Sequence, residues 1–165
     1  LGPLGSGFSW ETDTRDCLPV AGGIGLAPMG FLARRLLDEG KRVRLLFSPR
    51  RDAALLDALP FRERLDVSCC ENRSALPAAL DALLAQGADA VFSCGPEGLL
   101  ESVAERAAAH GVPCQLSMER RMACGIGICL GCAIAIHTPG GVTYKKVCKD
   151  GPVFRGEEVA FHAQP

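Results

Sequence analysis

The sequence has no run of eighteen or more apolar residues, and no opening segment in which basic, apolar and small residues follow one another. It therefore offers neither a membrane-spanning helix nor a secretory signal. Excess charge is also lacking. Eighteen Lys and Arg stand against 19 Asp and Glu, a formal net charge of -1 at pH 7, which removes the electrostatic reason to expect nucleic acid or a lipid surface as partner. Trp10 and Tyr144, the single Trp and Tyr, form no stacking platform with basic residues, so RNA-type recognition is not supported. There are no internal repeats and no low-complexity segments beyond alanine-rich helix surfaces. A cytoplasmic globular protein is what these absences leave.

What is present fits that class. The chain has 165 residues, enough for one ordinary domain with a small appendage or for two small domains sharing an interface. Hydrophobic residues make up 48%, so a sizeable core is within reach. The nine cysteines are an odd number, and four of them crowd into residues 124–148. A secreted disulfide framework spreads an even set through a smaller chain; in a reducing compartment such a crowd binds metal.

Strand and helix patterns alternate through the first two thirds. Residues 18–21 read as a strand that runs into a glycine-rich turn, and Met29, Leu32, Ala33, Leu36 and Leu37 recur with the period of a helix that buries one face. Strands are predicted at 43–47, 65–69, 90–93 and 114–118. Helices are predicted at 52–59, at 75–86 with Ser74 as cap, and at 96–110. Five strands alternating with helices predict an α/β fold, an open parallel five-stranded Rossmann-like sheet covered on both faces. Near Glu119 the pattern changes to a cysteine loop and a β-hairpin over 132–137 and 142–147, which predicts a small β-rich domain.

The cysteines carry the strongest motif. Cys124, Cys129, Cys132 and Cys148 give C-x4-C-x2-C and then, after 15 residues, C, the spacing of plant-type 2Fe-2S ferredoxins. Gly125, Gly127 and Gly131 let the chain bend around a compact cluster and bring N–H groups to its sulfurs, through positive φ and close backbone approach. Four cysteines also build structural zinc sites. Those usually pair two short knuckles, whereas here three ligands share one loop and the fourth stands alone.

A second motif is "AGGIGLAP" between the first strand and the first helix, with Gly22, Gly23, Gly25 and Pro28 placed for a dinucleotide pyrophosphate at a helix N-terminus. It departs from G-x-G-x-x-G, and any tight strand-to-helix connection uses glycine. Its support is "SCGP", with Cys94, Gly95 and Pro96 after the fourth strand, at the same sheet edge. Taken alone, Cys94 reads as a small buried hydrophobe, and Cys69 and Cys70 read as strand-end packing residues rather than ligands. Arg50 and Arg51 follow the second strand, where a 2′-phosphate would be read, although a solvated basic turn is the preferred reading. His110, His137, His162 and the run Glu119, Arg120, Arg121 read as surface residues.

"LGPLGSGF", "AGGIGLAP", "FSCGP", "SMERRMACGIGICLGC" and "VCKDGPVF" occur here in the order seen in the electron transfer subunit family of class 1B dihydroorotate dehydrogenases, within the ferredoxin reductase superfamily. The chain resembles that family over nearly its whole length. The resemblance implies a linker over 1–17 from a missing flavin-binding barrel, an NAD-binding domain over 18–118 and a 2Fe-2S domain over 119–165. The absence of an initiator Met at Leu1 agrees with a piece of something longer. NAD and a 2Fe-2S cluster are the implied cofactors, with FAD belonging to the complete protein. An FMN-containing catalytic subunit that oxidises dihydroorotate in pyrimidine synthesis is the implied partner, and Cys94 would approach the nicotinamide. The flavin subunit of NADH-dependent ferredoxin:NADP oxidoreductase or of sulfide dehydrogenase shares this arrangement. From another class, a zinc-stabilised nucleotide-binding module has no redox role.

Overall fold

In the computed structural model, residues 2, 4–49, 53–70 and 72–163 are described. Arg50, Arg51 and the first residue of the helix predicted at 52–59 lie outside them. The chain opens with an irregular segment, and then β1 (Asp16–Gly22) leads through a 3-10 turn, Gly23–Gly25, into α1 (Leu26–Asp38). There follow β2 (Arg42–Ser48), β3 (Asp66–Cys69), α2 (Leu76–Leu84), β4 (Ala90–Cys94), α3 (Glu97–Ala109) and β5 (Cys114–Ser117). β6 (Ala133–Thr138) and β7 (Gly141–Lys146) form the hairpin, and β8 (Val153–Arg155) is followed by a 3-10 turn, Gly156–Glu158.

The main sheet runs β3-β2-β1-β4-β5-β8. Its first five strands are parallel, as their alternation with helices requires. The sixth, β8, is an addition to the predicted five: it pairs antiparallel with β5, with Leu116 opposite Phe154. A strand of three residues, alternating half-buried, buried and exposed, carries too weak a period to be read in sequence. Its effect is to return the cysteine-rich segment to the sheet that precedes it.

Two layers of apolar side chains cover the sheet. One lies under α1, where Met29, Leu32, Ala33 and Leu36 meet Cys17, Ala21, Val43, Leu45, Phe47 and Phe92. The other lies under α2 and α3 and continues without a break into Cys132, Ile134, Ile136, Val147 and Phe154 of the cysteine-rich segment. This continuity fixes the hairpin against α3 and β5, because burying those side chains separately would leave each half of the layer open to water.

Two helix expectations are corrected. The segment predicted at 52–59 is a 3-10 turn, Ala53–Ala58. For α2, Ser74 is not the cap. A 3-10 turn precedes the helix, and the Asn72 side chain accepts from the Ala75 N–H at 3.0 Å while the Ser74 hydroxyl is spent on the same Asn72 oxygen at 2.6 Å. Arg44 is a charge buried within β2, 1% exposed, and the sequence motifs give no sign of it. Its guanidinium donates to the Leu83 carbonyl at 2.9 Å and to the Gly87 carbonyl, so it sits at the C-terminal end of α2, where the helix leaves carbonyls unpaired and a cation is favoured.

Candidate nucleotide edge and cysteine loop

The strand order reverses between β1 and β4, and in an open parallel sheet that reversal opens a crevice at the carboxyl ends of the strands. Ala21 and Cys94 are partners in register there, so the loops that follow them leave side by side. They are in backbone contact. A Cβ at Gly95 would lie 3.0 Å from the Cα of Gly22, and one at Gly25 would collide with the Cys94 carbonyl. Glycine is thus required at these places by the approach of two loops. Gly22 ends β1, Gly23 and Gly25 lie in the turn before α1, and Pro28 lies in the first turn of that helix. Gly95 and Pro96 immediately precede α3, with Pro96 at its N-cap.

Cys94 lies at this edge with its side chain turned inward, 3% exposed, in the layer under α1. Burial pushes its thiol up, partly offset by the Ser117 side chain that hydrogen-bonds to it. Cys70 is buried, as strand-end packing requires, whereas Cys69 at the end of β3 is exposed and corrects that expectation. Arg120 is paired with Glu97 at 2.6 Å. His110 pairs with Asp81 at 3.1 Å and His162 with Glu101 at 2.7 Å.

The four motif cysteines, spread over 25 positions of sequence, are brought together in two pairs. In one, the Cys129 thiol donates to the Cys124 sulfur at 3.3 Å. In the other, Cys132 and Cys148 are held near each other by the Val147 N–H, which donates to the Cys132 carbonyl at 3.1 Å. Among the described residues no three His, Cys, Asp or Glu side chains converge on a point suited to one metal ion. Backbone N–H groups point at the sulfurs: Cys129 N to Cys124 at 3.4 Å, Gly127 N to Cys148 at 3.2 Å and Gly131 N to Cys129 at 3.4 Å.

These donors stabilise negative sulfur. The Cys124 thiol is brought down to about 6, first by the Cys129 N–H, then by that of Ile126 and by the Cys129 thiol. The Cys148 thiol is pushed up, first by the adjacent Cys132 thiol and then by burial, against the pull of the Gly127 N–H. Gly127 has φ 81°, the left-handed region. Gly131 corrects the expectation of positive φ. It is absent from that region, and a Cβ on it would meet Ala123 and the Cys129 sulfur at ordinary contact distances, 3.4 and 3.5 Å, so its part here is the N–H it donates to Cys129.

Sequence reasoning missed the residues that hold Cys148. Asp150 accepts from the Lys146 N–H at 2.7 Å and closes the turn that carries the cysteine, and the Lys146 ammonium reaches the Gly127 carbonyl at 2.7 Å. The available signal was the three lysines and the aspartate around Cys148 in "KKVCKD", which composition alone reads as a solvated run.

Residues 119–160 match the model of the iron-sulfur cluster binding domain of dihydroorotate dehydrogenase B. The chain is 37% identical, over 97% of its length, to the dihydroorotate dehydrogenase B (NAD(+)) electron transfer subunit of Caldanaerobacter subterraneus, of which it covers 65%. The chain is homologous to the dihydroorotate dehydrogenase B electron transfer subunits. That of Geobacillus kaustophilus is 38% identical over 96% of this chain and 63% of its own length. The chain therefore spans somewhat less than two thirds of these electron transfer subunits. Among solved structures, the NADH-dependent reduced ferredoxin-NADP oxidoreductase superposes with a TM-score of 0.79 at 28% identity, over 98% of this chain and 59% of the other. The C-terminal domain of a Pyrococcus furiosus hydrogenase shares the fold, with a TM-score of 0.61 at 20% identity over 71% of this chain and all of that domain. Among the described residues no helix is long and apolar enough to cross a membrane.

Proposed function

We propose that this chain is the nucleotide-binding and cluster-binding part of an electron transfer subunit of a dihydroorotate dehydrogenase of the NAD-linked type. Its two parts are an NAD-binding unit over 18–118 and a 2Fe-2S unit over 119–165, with 1–17 linking to a flavin-binding barrel in the complete protein. Electrons pass from an FMN-containing catalytic subunit, through a 2Fe-2S cluster and FAD, to NAD. The observation that carries this reading is the gathering of Cys124, Cys129, Cys132 and Cys148 on one loop and the turn beside it, with N–H donors directed at three of the sulfurs. Three ligands on one loop and a fourth alone suit a 2Fe-2S cluster better than the paired knuckles of a zinc site.

A 2Fe-2S cluster carries single electrons while nicotinamide exchanges a hydride, which is why a flavin is needed between them. The chain's own residues do the holding. Cys124 and Cys129 take one side of the cluster, Cys132 and Cys148 the other, and the N–H groups of Gly127, Cys129 and Gly131 stabilise thiolate charge and raise the potential. At the sheet edge, Gly22, Gly23 and Gly25 bring backbone N–H groups and the start of α1 to a pyrophosphate, with Pro28 in the helix's first turn and Gly95 and Pro96 closing the second side. Cys94 ends β4 at that edge with its side chain buried, on the side of the crevice assigned to the nicotinamide. Around the cluster loop, Ile126, Ile128 and Leu130 are exposed, at 39%, 78% and 70%, and support an apolar partner surface. The nine unbridged cysteines support a reducing, cytoplasmic setting. Turnover requires the flavin and the partner, so the chain is not active alone.

The test mixes the complete subunit with its FMN-containing partner and adds dihydroorotate without oxygen. Bleaching of the cluster absorption, recovered on adding NAD, is the expected result. A second reading, an NADH-dependent ferredoxin:NADP oxidoreductase subunit, is supported by the likeness to that structure. It predicts no response to dihydroorotate and bleaching by NADH.

A further inference from the structure

Three groups from the turn that carries Cys148 converge on one residue of the cluster loop. Gly127 donates its N–H to the Cys148 sulfur at 3.2 Å. Its carbonyl accepts from the half-buried Lys146 ammonium at 2.7 Å. Its Cα face is covered by the stem of Lys149, which a Cβ at Gly127 would meet at 2.8 Å. The turn is held in shape by Asp150, whose carboxylate accepts from the Lys146 N–H at 2.7 Å while its own N–H donates to the Lys146 carbonyl at 2.8 Å.

From this we infer that Lys146 is a positioning and tuning residue for the cluster, acting through Gly127. Two effects combine. The ammonium-to-carbonyl bond ties the loop that bears three of the cysteines to the turn that bears the fourth, and so sets how the Gly127 N–H meets the Cys148 sulfur. The positive charge also lies beside a group that gains an electron on reduction, and in a half-buried position it is only partly screened, so it favours the reduced state. Asp150, whose carboxylate accepts from the Lys146 N–H, is the same in wild type and in every variant below, so the comparison isolates the ammonium. Lys149 contributes packing by its stem, with its residue exposed.

This inference rests on the cluster reading above, and its test separates the two. The complete subunit is prepared without oxygen as wild type, Lys146→Met, Lys146→Arg and Lys149→Met, with iron and sulfide content, EPR g-values and midpoint potential measured on each. Lys146→Met keeps the stem and removes the charge. Its potential falls, by the equivalent of up to a tenfold change in the reduced-to-oxidised ratio, about 59 mV for one electron. Its g-values shift, whereas Lys146→Arg and Lys149→Met stay near wild type. If Lys146→Met assembles no cluster, normal g-values in Lys146→Arg support the inference and an equal defect overturns it. A Lys146→Met protein with a full cluster and unchanged potential overturns the tuning role alone. Wild-type protein with no iron or sulfide overturns both.

Discussion

Replacing Gly25 with alanine tests the nucleotide edge at its tightest point. The residue has φ -59°, which alanine adopts freely, so the substitution carries no backbone strain and its whole effect is steric. The added methyl would collide with the carbonyl of Cys94, and both are parts of backbone, so no side chain can swing away. One loop has to move. Overpacking of one methyl in a tight contact costs about 1–3 kcal/mol. If the glycine turn moves off the loop at 94–96, that cost falls on nucleotide binding, a weakening of about 5- to 150-fold at 1.4 kcal/mol per tenfold. The assay is NADH titration by calorimetry, with urea unfolding alongside to record what part of the cost falls on stability. Gly7→Ala is the control, since nothing lies within 4 Å of its added methyl. Unchanged NADH affinity and unchanged stability in Gly25→Ala would refute both the loop contact and the site.

Other outcomes follow from buried groups. Arg44→Met removes the guanidinium donor from the Leu83 and Gly87 carbonyls and takes from α2 its terminal cation, and lowers unfolding free energy by about 1–3 kcal/mol in urea titration; an unchanged midpoint would show that the guanidinium adds nothing. Burial pushes the Cys114 thiol from 9.0 up to about 12 and that of Cys17 to about 11. The unfolded chain then loses these protons first, so stability is full below pH 9 and declines as pH rises toward 11. Thermal melts should show that decline, and show it reduced in Cys114→Ala; a flat profile above pH 9 contradicts it. The Gln115 amide accepts from the Ser9 N–H at 3.0 Å and donates to the Ser9 carbonyl at 2.5 Å. Gln115→Leu should speed hydrogen exchange over residues 6–14 while leaving β4 protected, and exchange unchanged in that segment would disprove the clamp.

Much of this was legible because it depends on short-range pattern. The helix period of Met29, Leu32 and Leu36 appears as the buried face of α1, and Cys124 and Cys129 of the cysteine motif come within 3.3 Å of each other. What sequence could not supply are contacts between distant segments. The pairing of β8 with β5, the collision site between Gly25 and Cys94, and the Lys146 bond to Gly127 join residues 19 to 69 positions apart, and no local period records them. Arg44 illustrates the same limit from the other side. A charge in a strand reads as solvent-facing until the α2 carbonyls that bury it are in place. Ser74 misled for a related reason, because a cap is chosen by the geometry of the turn before the helix as well as by residue type.

The most direct test of the central claim is an anaerobic absorption and EPR spectrum before and after dithionite, with iron, sulfide and zinc assayed on the same sample. The cysteine arrangement predicts a red-brown protein with about two irons and two sulfides per chain and a signal that appears on reduction. A colourless protein holding zinc without sulfide would contradict it.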